Sequence, residues 1–86
     1  MGDKYQLYPN TVRLLAAELK AAIDDYNARK IETAELRMLI NHYADNCANK
    51  LFLDPGNLNP TVTQRLGARR LETVNLMLAG RQEKMF

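Results

Sequence analysis

The sequence predicts an all-α fold: a helical hairpin plus a bent or broken C-terminal helix, making a three- to four-helix bundle. Apolar residues recur at three- and four-residue spacing along most of the 86 residues, β-type alternation is absent, and helix-start and helix-stop residues punctuate the pattern. Residues 1–86 read as a single helical domain, because a second core would need roughly 50 residues of its own.

The first helix is read from Thr11 to about Tyr26, where Val12, Leu15, Ala16, Leu19, Ala22, Ile23 and Tyr26 share one face. Asn10 is the expected cap, or Pro9 the first helical residue. The opposite side carries Leu14, Ala17 and Ala21, small enough to let another helix approach. After a linker at Ala28 to Ile31, Glu32-Thr33-Ala34-Glu35 opens a second helix with acceptors and a carboxylate near the positive end of its dipole. Its stripe of Leu36, Leu39, Ile40, Tyr43, Ala44, Cys47 and Leu51 keeps the helical period to about Lys50. The short connection makes the two helices antiparallel neighbours.

Asp54-Pro55-Gly56-Asn57 predicts a type II turn. Asn59-Pro60 then starts another helix, asparagine as cap and proline as first residue. With Val62 at zero, Leu66 lies near ~40° whereas Leu71, Val74 and Leu78 fall near ~180°, ~120° and ~160°. One straight helix would aim these halves at different partners, so the expectation is a short helix to Leu66, a bend at Gly67 and a last helix to Ala79, stopped by Gly80.

Apolar residues make up 47% of the chain and charged ones 26%, a globular balance that excludes a disordered tail. No stretch approaches the roughly 20 apolar residues of a membrane span, and Met1 to Tyr5 lack a signal-peptide core. A cytoplasmic protein with no membrane contact is expected. The single cysteine, Cys47, cannot form an internal disulfide or a zinc site and is read as core packing. A chain this short buries only about 60% of its unfolded surface, a margin that oligomerisation often supplements.

Enzyme signatures are missing: there is no nucleophile elbow, Walker loop, dinucleotide fingerprint or zinc-binding histidine pair. The expectation is therefore no enzyme, no catalytic residue, no metal and no cofactor. His42, the only histidine, projects away from the second helix's stripe and is read as solvated, and Asp24-Asp25 as helix-end solubility. The charge is uneven. Residues 1–58 carry seven Lys/Arg against eight Asp/Glu, while residues 59–86 carry five against two, and four of those five bases are arginine.

Arginine suits forked recognition of phosphate. Asn59, Thr61, Thr63, Arg65, Arg69 and Arg70 are accordingly the expected ligand-binding residues: a capped helix start offers free N–H groups, the threonines add hydroxyls, and Arg65 and Arg69 align at i, i+4. Tyr5 or Tyr8 would stack a base, which makes a nucleotide-type ligand the expected one. Thr63 to Val74 also echoes a DNA-binding helix-turn-helix around Leu66-Gly67, an alternative that implies nucleic-acid binding. Leu14, Met38, Leu76, Met77, Met85 and Phe86 fit none of the main stripes. Leu14, Ala17, Ala21, Met38 and Met77 are thus the expected interface of a homo-oligomer, with a protein-interaction module that inhibits a host protein as an alternative.

The runs Leu7-Tyr8-Pro9-Asn10-Thr11, His42-Tyr43-Ala44-Asp45-Asn46 and Leu58-Asn59-Pro60-Thr61-Val62, with Gly67 and Arg70-Leu71, resemble a small uncharacterised helical protein family of clostridia and related Firmicutes, and of their phages. The resemblance covers nearly the whole chain and brings no catalytic or binding residue with it. It implies a bacterial setting, and a phage-borne sponge or inhibitor of a host pathway as the role.

Overall fold

The computed structural model of the chain describes residues 5–54 and 57–83, with side chains described through Ala79. Helix α1 spans Val12–Asn27, α2 Thr33–Asn46, α3 Ala48–Leu51 and α4 Pro60–Glu83; between α3 and α4 lie two short strands, β1 at Phe52–Asp54 and β2 at Asn57–Leu58. This is the all-α architecture that the apolar spacing predicts. Inside α4, Gly67 has φ 80° and ψ 169°. That conformation is open to glycine and almost nothing else, so the break falls where the phase argument puts it.

The core comes from facing stripes. Leu15, Leu19, Ala22 and Ile23 of α1 meet Leu36, Leu39, Ile40 and Tyr43 of α2, and α4 closes the remaining side with Val62, Leu66, Val74 and Met77. Each fully buried leucine or isoleucine contributes about 1.5–3 kcal/mol relative to exposure. Among the described residues no wholly polar or charged side chain is buried. Packing alone holds the interior.

Several local expectations need correction. Thr11, not Asn10, caps α1, its Oγ1 accepting from the Leu14 N–H at 3.1 Å. The helix ends in a Schellman arrangement, Lys30 N–H to Asp25 O at 2.8 Å and Arg29 N–H to Tyr26 O at 3.0 Å, with Arg29 at φ 63° where glycine is usual. Helix α2 stops at Asn46 rather than running to Lys50; Cys47 turns the chain into the single turn of α3, where Leu51 N–H reaches Cys47 O at 2.9 Å.

The segment after α3 is a small antiparallel hairpin, with Phe52 opposite Leu58 and Asp54 opposite Asn57. Five strand residues are too few to show alternation in sequence. The central residues of the expected type II turn, Pro55 and Gly56, lie outside the described residues. Gly80 does not stop α4, which continues to Glu83. Among the described residues no helix is long and apolar enough to cross a membrane.

Candidate functional site

The arginine-bearing segment is the first place to test. Asn59 does cap α4, its Oδ1 accepting from the Thr61 N–H at 2.9 Å, and Pro60 is the first helical residue. That bond uses the asparagine acceptor internally, and the Thr63 hydroxyl donates to Pro60 O at 2.9 Å. Arg65 and Arg69 are exposed, but Gly67 stands between them with non-helical angles. With that break between them, Arg65 and Arg69 do not keep the i, i+4 alignment of a continuous helix.

Arg70 is engaged elsewhere. Its Nε donates to Asp24 Oδ1 at 2.9 Å and its Nη2 to Asp24 Oδ2 at 3.2 Å, a forked ion pair to the end of α1. Its Nη1 donates to Leu66 O at 3.0 Å, closing a carbonyl that the break at Gly67 would otherwise expose. Arg70 is thus a brace across the kink, and Asp24 is its partner rather than a solubility group. Of the six expected ligand residues, Asn59, Thr63 and Arg70 thus have partners within the chain, while Arg65 and Arg69 are exposed.

The amino-terminal segment is the largest surprise. Residues 5–9 form a bent, irregular strap over α1 and α2, and three of its backbone groups are taken up by side chains further along the chain. The Tyr43 hydroxyl donates to Gln6 O at 2.5 Å, His42 Nε2–H donates to Leu7 O at 2.8 Å, and the Gln6 N–H donates to Glu18 Oε1 at 3.2 Å. A carbonyl can only accept, so His42 carries its proton on Nε2, and Nδ1 faces Asn46 Nδ2 at 3.2 Å.

His42 is half-buried with Tyr8 set edge-on at 5.0 Å, not solvated. The buried Tyr5 donates to Asp25 Oδ2 at 2.6 Å, so it is not free to stack a base. Burial first, then the Asp25 hydrogen bond, pushes the Tyr5 hydroxyl well above the usual tyrosine range. Burial and then the Glu18 charge do the same to Tyr43. Cys47 is buried as expected, its Sγ 3.8 Å from Leu7 O.

The expected interface residues divide. Leu14, Ala17, Ala21 and Met38 are exposed, but Met77 is only 6% exposed and belongs to the core. It lies one turn beyond Val74 on the same face of α4, so the stripe centre sits closer to Val74 and Met77 than to Leu71 and Leu78. The opposite face of α4 opens to solvent. There an open depression is lined by Ala68, Leu71, Glu72, Asn75 and Leu76, and Leu76 is 67% exposed. Sequence phase flagged Leu76 as unplaced without showing that it stands in a patch. Among the described residues no group of three or more His, Cys, Asp and Glu could hold a metal ion.

Fold and surface together define a small all-helical domain with a closed apolar core, a hydrogen-bonded amino-terminal strap and an open outer face on its last helix. The chain belongs to the family described as "Conserved hypothetical protein", named after a Clostridium botulinum locus and matched over residues 6–79. No curated protein and no solved structure matches it.

Proposed function

We propose that the chain is a non-enzymatic protein-interaction module of the bacterial cytoplasm whose contact surface is the outer face of α4. The observation that carries this reading is the contiguity of Ala68, Leu71 and Leu76 around one open depression. Isolated exposed hydrophobics, such as Tyr8, Met38 and Leu53 on other elements, are ordinary on a soluble domain, whereas a connected apolar patch marks a contact surface. The arginine reading has less support, because Arg70 is paired with Asp24 and Gly67 separates Arg65 from Arg69. The lining of the depression holds the Glu72 carboxylate and no cation, which also suits a protein better than the phosphates of a nucleic acid.

A photo-crosslinking residue placed at Leu76, and for comparison at exposed Lys20, tests the reading in bacterial cells. Adducts from position 76 with none from position 20 support it; equal patterns overturn it. A role as a phage-borne inhibitor of a host pathway would appear as an adduct heavier than two copies of the chain. Titration with a nucleotide panel is expected to show no saturable binding, and binding that Arg65→Ala and Arg69→Ala both weaken would replace this reading with the ligand one.

A further inference from the structure

The amino-terminal strap covers a buried group as well as being held in place. Among the described residues, Gln6 to Pro9 make no backbone–backbone hydrogen bond; side chains of α1 and α2 hold the strap instead. Two consecutive carbonyls take most of these bonds: Gln6 O accepts from the Tyr43 hydroxyl, and Leu7 O accepts from His42 Nε2 at 2.8 Å with Cys47 Sγ 3.8 Å from the same oxygen. Cys47 is the only thiol of the chain and is 2% exposed.

The strap is separable at both of its contacts with the body. Tyr5 and Pro9 are buried and Leu7 is half-buried, but Gln6 and Tyr8 are exposed, a small apolar anchorage beside the facing stripes of the helices. Helix α1 takes its cap from Thr11 Oγ1 and its first intrahelical bond from Leu15 N–H to Thr11 O at 3.0 Å. The helix start is therefore complete without residues 5–10, and exposed Asn10 is the joint. A segment with few buried contacts, held by side-chain bonds alone, opens at a lower free energy than the core beneath it.

We propose that the strap is a latch: residues 5–9 swing away as one unit about Asn10 while α1, α2 and α4 stay packed, and this opening gives solvent access to Cys47. His42 and Tyr43 are its two bolts. Opening bares the Cys47 thiol, the His42 Nε2–H and the Tyr43 hydroxyl together, so thiol chemistry at position 47 follows the position of the strap and not unfolding. The latch shares no residue with the contact surface of α4 and stands independently of it.

Thiol labelling of the intact chain reads the latch. With the aromatic disulfide dithiobis-nitrobenzoate, the Cys47 sulfur bonds one half of the reagent, the other half leaves as a coloured thiolate, and the thiol proton passes to solvent. At fixed pH, labelling is expected to run slower than in the denatured chain but faster than global unfolding allows. Its rate should rise only slightly with urea well below the unfolding midpoint, because opening five residues exposes little surface. A rate that follows the full unfolding slope down to zero urea overturns the proposal, as does labelling as fast as in the denatured chain. Neither comparison needs a variant.

Variants then locate the bolts, each rate being referred to that variant's own denatured chain. His42→Ala removes the donor to Leu7 O and is expected to speed labelling about tenfold, the loss of one hydrogen bond. Val74→Ala, a core truncation in α4 that lowers global stability, should leave the rate within about twofold. Gln6→Ala should do the same, since the bonds at residue 6 are to its backbone. The reverse pattern, labelling accelerated by Val74→Ala and unchanged by His42→Ala, would show that Cys47 is reached through unfolding and that the strap is no latch.

Discussion

The strap at residues 5–9 and the outer face of α4 treat the same obligation in opposite ways. The strap has no regular structure, so its backbone groups find their partners outside the segment, and side chains of α1 and α2 supply those of Gln6 N–H, Gln6 O and Leu7 O. Helix α4 satisfies its backbone internally and leaves its outward side chains uncommitted. The irregular segment is the closed part of the molecule, and the regular helix is the open one.

Breaking the closed part should have the largest effect. Tyr43 is fully buried and its hydroxyl holds Gln6 O. Tyr43→Ala is expected to lower unfolding free energy by about 3–5 kcal/mol. Tyr43→Phe keeps the ring but strands the carbonyl, for about 1–3 kcal/mol, both read by urea denaturation at neutral pH. Alkali probes the same contact. The folded state holds the Tyr5 and Tyr43 protons more tightly than the unfolded chain does. Their stabilisation is therefore complete below the ordinary tyrosine value of about 10 and drains away as pH climbs above it. The decline should be shallower in Tyr43→Phe, and an unchanged slope would place the origin of the alkaline loss elsewhere.

Gly67 sits where the closed and open parts join. A methyl group added there meets nothing within 4 Å, so Gly67→Ala isolates the backbone cost of φ 80°. About 1–3 kcal/mol of destabilisation is expected by thermal or urea unfolding. No change in stability would show that α4 can run straight, which would also turn the face after the kink toward a different direction.

What the sequence made legible follows this division. The stripes of α1 and α2 and the break at Gly67 were readable because helical contacts repeat within a few residues, and a phase jump of about 130° has few remedies other than a bend. The strap was not readable. Its partners Glu18, His42 and Tyr43 lie 12 to 37 residues away, and an irregular segment five residues long has no period to detect. His42 looked solvated for that reason: phase places it relative to its own helix and cannot see another segment crossing above. Arg70 was misread for a related one. A run of arginines shows its charge in sequence, but not the Asp24 that lies 46 residues earlier and neutralises it.

The smallest expected effect concerns that pair, and it separates a brace from a ligand contact. Both side chains are partly solvated, Arg70 31% and Asp24 47% exposed, so screening limits the fork to about 0–1 kcal/mol. A double-mutant cycle of Arg70→Met with Asp24→Asn should return a coupling in that range that shrinks as salt is added. Arg70→Met alone should cost slightly more than Asp24→Asn, because it also frees the Leu66 carbonyl beside the kink. Arg65→Ala and Arg69→Ala, on exposed positions outside the pair, should stay within about 0.5 kcal/mol of the parent. An Arg70 held in reserve for an anion would give the reverse pattern: no coupling to Asp24, and a stability indifferent to its removal.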